Sequence, residues 1–301
     1  MHRQISEISP IKLDFLIPGF SKCGSTTLYK LLAEHPQIYL PARKDFRYYD
    51  LAERSARQPE FEKRFHDSQP GQMVGDASIW YTDTEFEEQA RRTILETHPQ
   101  VKLIFIARDP VDRVESAYRE QHHNRLNLPN GCPFDLATAM REKRGISLDS
   151  CFGQRLANYS QYVPAERILL LLLEDLQHSP AETVARCFRF LGVDSDFHVP
   201  GLELRHNSRS NKYRDTPRLR ELKKNPEIAG IMRYLPFDVQ TQLLPALGLR
   251  EKFSGAPLPW DDQARRSFIE LIGDDPGQYL RAAGALTESW PRYAQLVGRT
   301  A

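Results

Sequence analysis

The sequence predicts an α/β protein: a mostly parallel sheet with helices on both faces, in one domain spanning residues 1–301. Three observations predict it. Short apolar-rich runs recur at Leu13–Ile17, Lys102–Ala107 and Ile168–Leu173, of strand length and bounded by turn or cap residues. Each is followed by a segment of helical periodicity, the alternation that builds parallel sheets with covered faces. A chain of 301 residues, 40% hydrophobic and 27% charged, is also ordinary globular material rather than a disordered polyelectrolyte.

Taken in order, Leu13-Asp14-Phe15-Leu16-Ile17 reads as a strand that turns at Pro18-Gly19. Ser25 to Glu34 then sets Leu28, Leu31 and Leu32 on one helical face, and Pro36 ends it. Met73-Val74-Gly75 reads as another short strand, and Glu85 to His98 as a charged amphipathic helix. Lys102–Ala107 is a strand that meets Arg108-Asp109-Pro110, where Asp109 suits a helix N-cap and Pro110 the first helical position. Val111, Val114, Ala117 and Tyr118 form the stripe that packs this helix on a sheet. Ile168–Leu173 is a third strand, and Ala181–Leu191 a helix that stops at Gly192. Residues 204–217, with Arg205, Arg209, Lys212 and Arg214, read as an exposed polar loop. No repeat or low-complexity tract divides the chain. Right-handed crossovers put the loops after Ile17 and Ala107 at the carboxyl edge of the sheet, where such sheets bind ligands.

Charge and cysteine usage narrow the function classes. With 41 basic and 40 acidic residues the formal charge is +1, so no bulk attraction to nucleic acid or anionic membrane is expected. The N-terminal sequence has no long apolar core behind a basic start, and no apolar run is long enough to span a bilayer. Cys23, Cys132, Cys151 and Cys187 show no metal or redox spacing, and the histidines add none. Reduced thiols in the cytoplasm are the expectation. No motif addresses oligomeric state.

The most informative stretch is Gly19-Phe20-Ser21-Lys22-Cys23-Gly24-Ser25-Thr26-Thr27. Its backbone N–H groups, with the positive end of the helix starting at Ser25, make an anion cradle. The layout is P-loop-like. An ATP-hydrolysing loop, however, needs its lysine directly after the second glycine, and here Ser25 holds that place while Lys22 lies two residues before Gly24. A second motif, Arg108-Asp109-Pro110-Val111-Asp112-Arg113-Val114-Glu115-Ser116-Ala117-Tyr118, places an arginine at a strand end and a serine two helical turns on.

Both motifs resemble those of the sulfotransferases that use 3′-phosphoadenosine 5′-phosphosulfate (PAPS), in particular the heparan-sulfate-type and bacterial carbohydrate enzymes. The first is similar to the family's 5′-phosphosulfate loop, P-K-[SAT]-G-[ST]-[ST], with Ser21 at the proline-like position. The second is similar to its 3′-phosphate site, R-[DN]-P-x-x-R-x-x-S-x-Y. Lys44-Asp45-Phe46-Arg47-Tyr48-Tyr49 resembles K-E-x-x-F-F, and Gly75-Asp76-Ala77-Ser78-Ile79-Trp80-Tyr81 resembles G-E-[KA]-[ST]-P-x-Y. Glu174-Asp175-Leu176 and Phe190-Leu191-Gly192-Val193 match further landmarks. His206-Asn207-Ser208-Arg209-Ser210 falls where the family has a basic loop over the nucleotide. The likeness runs over nearly the whole chain and implies the sulfotransferase fold. Three departures stand out: Asp45 for glutamate, Ala77 for the lysine of heparan-modifying members, and Ile79 for proline. The missing lysine argues against a heparan-like polyanionic acceptor.

The resemblance implies sulfuryl transfer from PAPS to a hydroxyl or amine of a sugar or small-molecule acceptor by in-line displacement, with no metal. Lys22, Cys23, Gly24, Ser25, Thr26 and Thr27 would bind the phosphosulfate, and Arg108, Ser116 and Arg209 the rest of the donor. Lys22 would meet the charge that develops on the bridging oxygen. Asp45 would take the acceptor's proton. Asp76, His122 and His123 are rival bases, the histidines being expected to face solvent at the end of their helix. Phe46, Tyr48, Tyr49, Trp80 and Tyr81 would divide between an acceptor pocket and core. Two other classes remain: a kinase using ATP and magnesium, which lacks its lysine here, and a non-catalytic nucleotide-binding module.

Overall fold

The computed structural model of the chain describes residues 11–52, 54–124, 132–202, 212–233, 239–253 and 256–298. It falls into two compact units, residues 1–107 with 154–205 and residues 108–153 with 206–301. Among the described residues no helix is long and apolar enough to cross a membrane.

The first unit holds the predicted sheet: β1 (Phe15–Ile17), β2 (Ile38–Tyr39), β3 (Met73–Ala77), β4 (Lys102–Ala107) and β5 (Ile168–Leu172). Their order is β2-β3-β1-β4-β5 and every pairing is parallel. Alternate side chains serve opposite faces. Phe15 and Ile17 of β1 and Ile104 and Ile106 of β4 lie in one core with Leu28, Leu31 and Leu32 of the Ser25–Leu32 helix. Val184, Cys187, Phe188 and Leu191 of the Pro180–Leu191 helix complete that layer. On the other face Phe105 meets Tyr159, ring centroids 5.4 Å apart. Full burial of each such side chain stabilises the fold by about 1.5–3 kcal/mol. Where β1 and β3 pair, Phe15 sits opposite Gly75, and a Cβ at Gly75 would lie 2.3 Å from the Phe15 ring. The glycine there makes room for the aromatic.

Expected and observed elements differ at their edges. β2 was not expected, because two residues carry no pattern. Leu173, read as the end of a strand, instead opens a helix from Leu173 to His178. The Glu85–His98 segment is helical over Glu87–Thr97.

In the second unit the Pro110–Asn124 helix buries Val111, Val114, Ala117 and Tyr118, as its stripe predicts. Arg113 is 1% exposed. Its guanidinium donates to the carbonyls of Gly145 and Ile146 and to Asp149, so it staples that segment to the helix. The expectation of an exposed loop up to residue 217 is corrected at its end. Tyr213–Asp215 is a strand, antiparallel to Arg250–Lys252. Asp215 is buried there because Lys223 and Arg250 neutralise it. Arg209, and with it His206-Asn207-Ser208-Arg209-Ser210, lies outside the described residues.

Candidate active site

The phosphate loop leaves the carboxyl end of β1 and leads into the Ser25–Leu32 helix. Gly24 precedes that helix with φ +87°, and its carbonyl accepts from Thr27 N at 2.9 Å and Leu28 N at 3.1 Å. A Cβ on Gly24 would also come within 2.5 Å of Leu173 Cδ1. Both the dihedral and the close approach therefore require glycine. No acidic residue occupies the helix's first turn, which leaves its positive end to an anion. Ser25 is buried, Thr26 exposed and Thr27 half-buried. Cys23 is fully buried, its thiol 3.6 Å from Ser21 O, so it fills the loop rather than facing a ligand.

Among the described residues only two non-glycine positions have positive φ: Lys22 at 66° and Asp45 at 62°. An L-residue held there is strained by about 1–3 kcal/mol, and such positions cluster at functional sites. They are also the two residues that sequence reasoning named as catalytic. Asp45 is fixed by three contacts. Its N–H donates to Ala77 O at 2.8 Å, and its Oδ1 accepts from Ile79 N at 3.0 Å. Its Oδ2 lies 3.2 Å from Lys44 Nζ. The contact with Ile79 depends on how this chain departs from its resemblance. Proline at position 79 would have no N–H to give Asp45, whereas isoleucine has one.

Lys44 was not singled out as a site residue. Its Nζ donates to Ser25 Oγ at 3.1 Å as well as pairing with Asp45, so it joins the helix start of the phosphate loop to the candidate base. The adjacency of Lys44 and Asp45 in the sequence is the available signal.

The rival bases are otherwise engaged. Asp76 is fully buried between Arg64, at 3.0 Å, and the Tyr81 hydroxyl, at 2.8 Å. Burial pushes its carboxyl up while those donors oppose the shift. The expectation that His122 faces solvent is wrong. It is 5% exposed, with Nδ1 accepting from Arg220 at 3.1 Å and Nε2 donating to Pro133 O at 3.2 Å. Phe134 and Tyr118 pack against its ring, because a helix end covered by neighbouring aromatics is not a solvent end. Burial first, then the Arg220 charge, lowers it to about 4. His123 is half-buried and accepts from Tyr213 N. Of the aromatics, Tyr48, Tyr49 and Tyr81 are core, whereas Phe46 and Trp80 are half-exposed. Trp80 and Phe86 sandwich the Arg47 guanidinium at 4.4 and 4.3 Å, and Arg47 pairs with buried Asp50.

In the second unit Arg108 stands just before the Pro110–Asn124 helix, its Nη2 3.4 Å from Asp112 Oδ2. Ser116, half-buried, lies four residues beyond Asp112 and so on the same helix face. Asp109 serves two helices. Its Oδ1 accepts from Val111 N at 2.9 Å, and its Oδ2 from Arg292 N at 3.0 Å and Tyr293 N at 3.2 Å. Burial and the neighbouring Asp112 charge push Asp109 up, against those three N–H groups.

A parallel sheet whose first strand runs through a glycine loop into a helix defines an α/β protein with a P-loop-like anion site. A family-wide sequence description of the sulfotransferase domain matches residues 12–229. The chain belongs to that family. The mouse (Mus musculus) heparan sulfate glucosamine 3-O-sulfotransferase 6 is 27% identical over 195 residues, covering 59% of this chain and 52% of that protein. The mouse bifunctional heparan sulfate N-deacetylase/N-sulfotransferase 4 is 24% identical over 201 residues, covering 61% of this chain and 23% of that protein. The chain thus spans about half the length of the first relative and less of the second. The crystal structure of a sulfotransferase from Alicyclobacillus acidocaldarius matches at TM-score 0.63 and 18% identity, covering 94% of this chain and 100% of that one. That likeness establishes the fold.

Proposed function

We propose that the protein moves a sulfuryl group from PAPS to a hydroxyl or amine of a sugar or small-molecule acceptor by in-line displacement, as a single catalytic domain. The observation that carries this reading is the strained backbone at Lys22 and Asp45, joined through Lys44 and Ser25. Sulfuryl transfer, like phosphoryl transfer, is mainly a matter of alignment and charge stabilisation. The acceptor oxygen or nitrogen forms its bond to sulfur as the bridging S–O bond to the adenosine bisphosphate breaks. Lys22 and the loop N–H groups of Gly24, Ser25 and Thr26 meet the negative charge that develops on the leaving oxygen, the Cys23 and Thr27 N–H groups being bonded within the loop. Asp45 Oδ2 takes the acceptor's proton, with Oδ1 anchored on Ile79 N–H. Arg108 and Ser116 hold the 3′-phosphate, and Arg209 is assigned to the nucleotide on the resemblance of its segment alone.

The acceptor class rests on less. Trp80 and Phe86 offer half-exposed rings around Arg47, and half-exposed Phe46 lies against Arg57 and Arg64; such rings suit a sugar face or flat ring. The heparan sulfate enzymes among the relatives favour a carbohydrate. Buried Ala77 offers no cation for a polyanion. The cytoplasm is the proposed compartment, supported by four free cysteines.

One experiment separates the classes. Purified protein is incubated with PAPS and a panel of sugars, phenols and amines, with and without excess EDTA. Sulfated product formed equally in both supports transfer without metal. Turnover that needs magnesium and ATP in place of PAPS would install the kinase reading. Tight PAPS binding without turnover on any acceptor would leave a binding module.

A further inference from the structure

We infer that Arg292 is a positioning residue for the 3′-phosphate site, holding the Asp112 carboxylate so that its charge is kept off Arg108. The inference rests on the assignment of Arg108 to that phosphate. Residue 292 lies outside the stretch matched by the family description, which ends at residue 229.

The geometry is specific. Asp112 Oδ1 accepts from Arg292 Nη1 at 2.5 Å, a short charge-assisted bond. Its Oδ2 stands 3.4 Å from Arg108 Nη2, beyond ordinary N–H···O range. Asp112 is therefore committed to Arg292 and only loosely associated with Arg108. Arg292 in turn cannot swing away. Its Nη2 donates to Glu115 Oε1 at 2.5 Å, and its backbone N–H donates to Asp109 Oδ2 at 3.0 Å. Glu115 is itself fixed by Arg119 and by the Trp260 indole, each at 3.0 Å.

Charge decides the sign. Arg292 pairs with both Asp112 and Glu115, and Arg108 is the next cation beside Asp112. Without Arg292 the Asp112 carboxylate loses its short ion pair. Asp112 then closes on Arg108, and an incoming phosphate meets a neutralised arginine beside uncompensated carboxylate. The side chains of Arg108 and Asp112 are 11% and 23% exposed, so solvent screens this only in part.

The test is calorimetry of adenosine 3′,5′-bisphosphate and AMP on the full chain and on Arg292→Ala, Asp112→Asn and the double variant. Arg292→Ala should weaken the bisphosphate about fivefold and leave AMP, which lacks the 3′-phosphate, unchanged. Asp112→Asn should tighten the bisphosphate, and in the double variant it should cancel the loss. A purely structural clamp predicts the reverse, because the second substitution removes another bond from the cluster. Unchanged bisphosphate affinity in Arg292→Ala overturns the inference, as does parallel weakening of both nucleotides or a double variant no better than Arg292→Ala. If Arg292→Ala does not fold, Asp112→Asn decides alone: bisphosphate binding that is not tightened overturns it. Failure of the underlying assignment looks different. There the wild-type chain binds bisphosphate and AMP equally, and Arg108→Ala changes neither.

Discussion

The two parts of the proposed donor site are held in place by different forces. In the first unit, Lys22 and Asp45 owe their positions to backbone: positive φ at both, an Asp45 N–H on Ala77 O, and an Ile79 N–H on the Asp45 carboxylate. In the second, Arg108 stands in a net of side-chain charges in which Asp112 and Glu115 are ion-paired with Arg292. Backbone geometry is indifferent to salt and moves only if the chain repacks, whereas ion pairs weaken with ionic strength. Chemistry that needs an aligned attack would gain from the first kind of support. A phosphate site needs only net positive charge, which the second kind tunes.

The largest expected effect falls where the backbone does the aligning. Lys22→Ala should lower turnover by roughly two to three orders of magnitude, the scale of losing one electrostatic stabiliser. Asp45→Asn should follow at about two orders of magnitude, the lower range for a lost general base. Its affinity for the bisphosphate product should stay near wild type. Steady-state rates over a full pH range check both, and wild-type rates in Asp45→Asn at every pH would remove Asp45 as the base. Ile79→Pro probes the same support more gently. It deletes one N–H donor to Asp45, and about tenfold in turnover with unchanged nucleotide affinity is expected. A loss of nucleotide affinity in that variant would break the distinction between the two regions.

Arg108→Ala should act on binding instead. A charged hydrogen bond to phosphate contributes about 1.5–3 kcal/mol, or one to two orders of magnitude. The variant should lose most of the preference for bisphosphate over AMP, by weakening only the bisphosphate. Raising salt should erode the wild-type preference in the same direction, while Lys22→Ala should show the same salt response as wild type.

How much of this was legible in the sequence follows the same division. The sheet was readable because the apolar runs that became β1, β4 and β5 are continuous, as strands buried on both faces must be. The phosphate loop was readable because glycine and lysine sit at fixed offsets from a helix start. What escaped depends on partners remote in sequence. Arg292 reaches Asp112 across 180 residues and Arg220 reaches His122 across 98, and no local pattern announces either. Lys44 escaped for a different reason, since a lysine beside an aspartate always admits a local ion pair. The positive φ of Asp45 could not be foreseen, because that conformation is imposed by the contacts of residues 77 and 79.

The smallest predicted effect uses one buried histidine from each unit. His98 in the first is lowered to about 4, chiefly by burial, and so is His122 in the second. Unfolded, both titrate near the ordinary 6.5. Between those values the unfolded chain binds protons that the folded chain refuses. Stability is therefore full above about 6.5 and falls as pH drops towards 4. Thermal melts across that window should show the fall, and His98→Gln and His122→Gln should each flatten part of it. The two supports should separate in salt. His98 is held neutral by burial and then by the Arg54 charge, and its Nδ1 accepts from Leu13 N at 3.4 Å, with the Tyr49 hydroxyl 2.6 Å from Nε2. Protonating it breaks the bond to Leu13 at any ionic strength. Protonating His122 sets a cation against Arg220, a repulsion that salt screens. In 1 M salt the His122 imidazole, followed by NMR, should titrate higher, and His98, which bonds a backbone N–H rather than a guanidinium, should shift less. Equal shifts at both would mean that the ion-pair support of the second unit is no more sensitive to screening than the backbone support of the first.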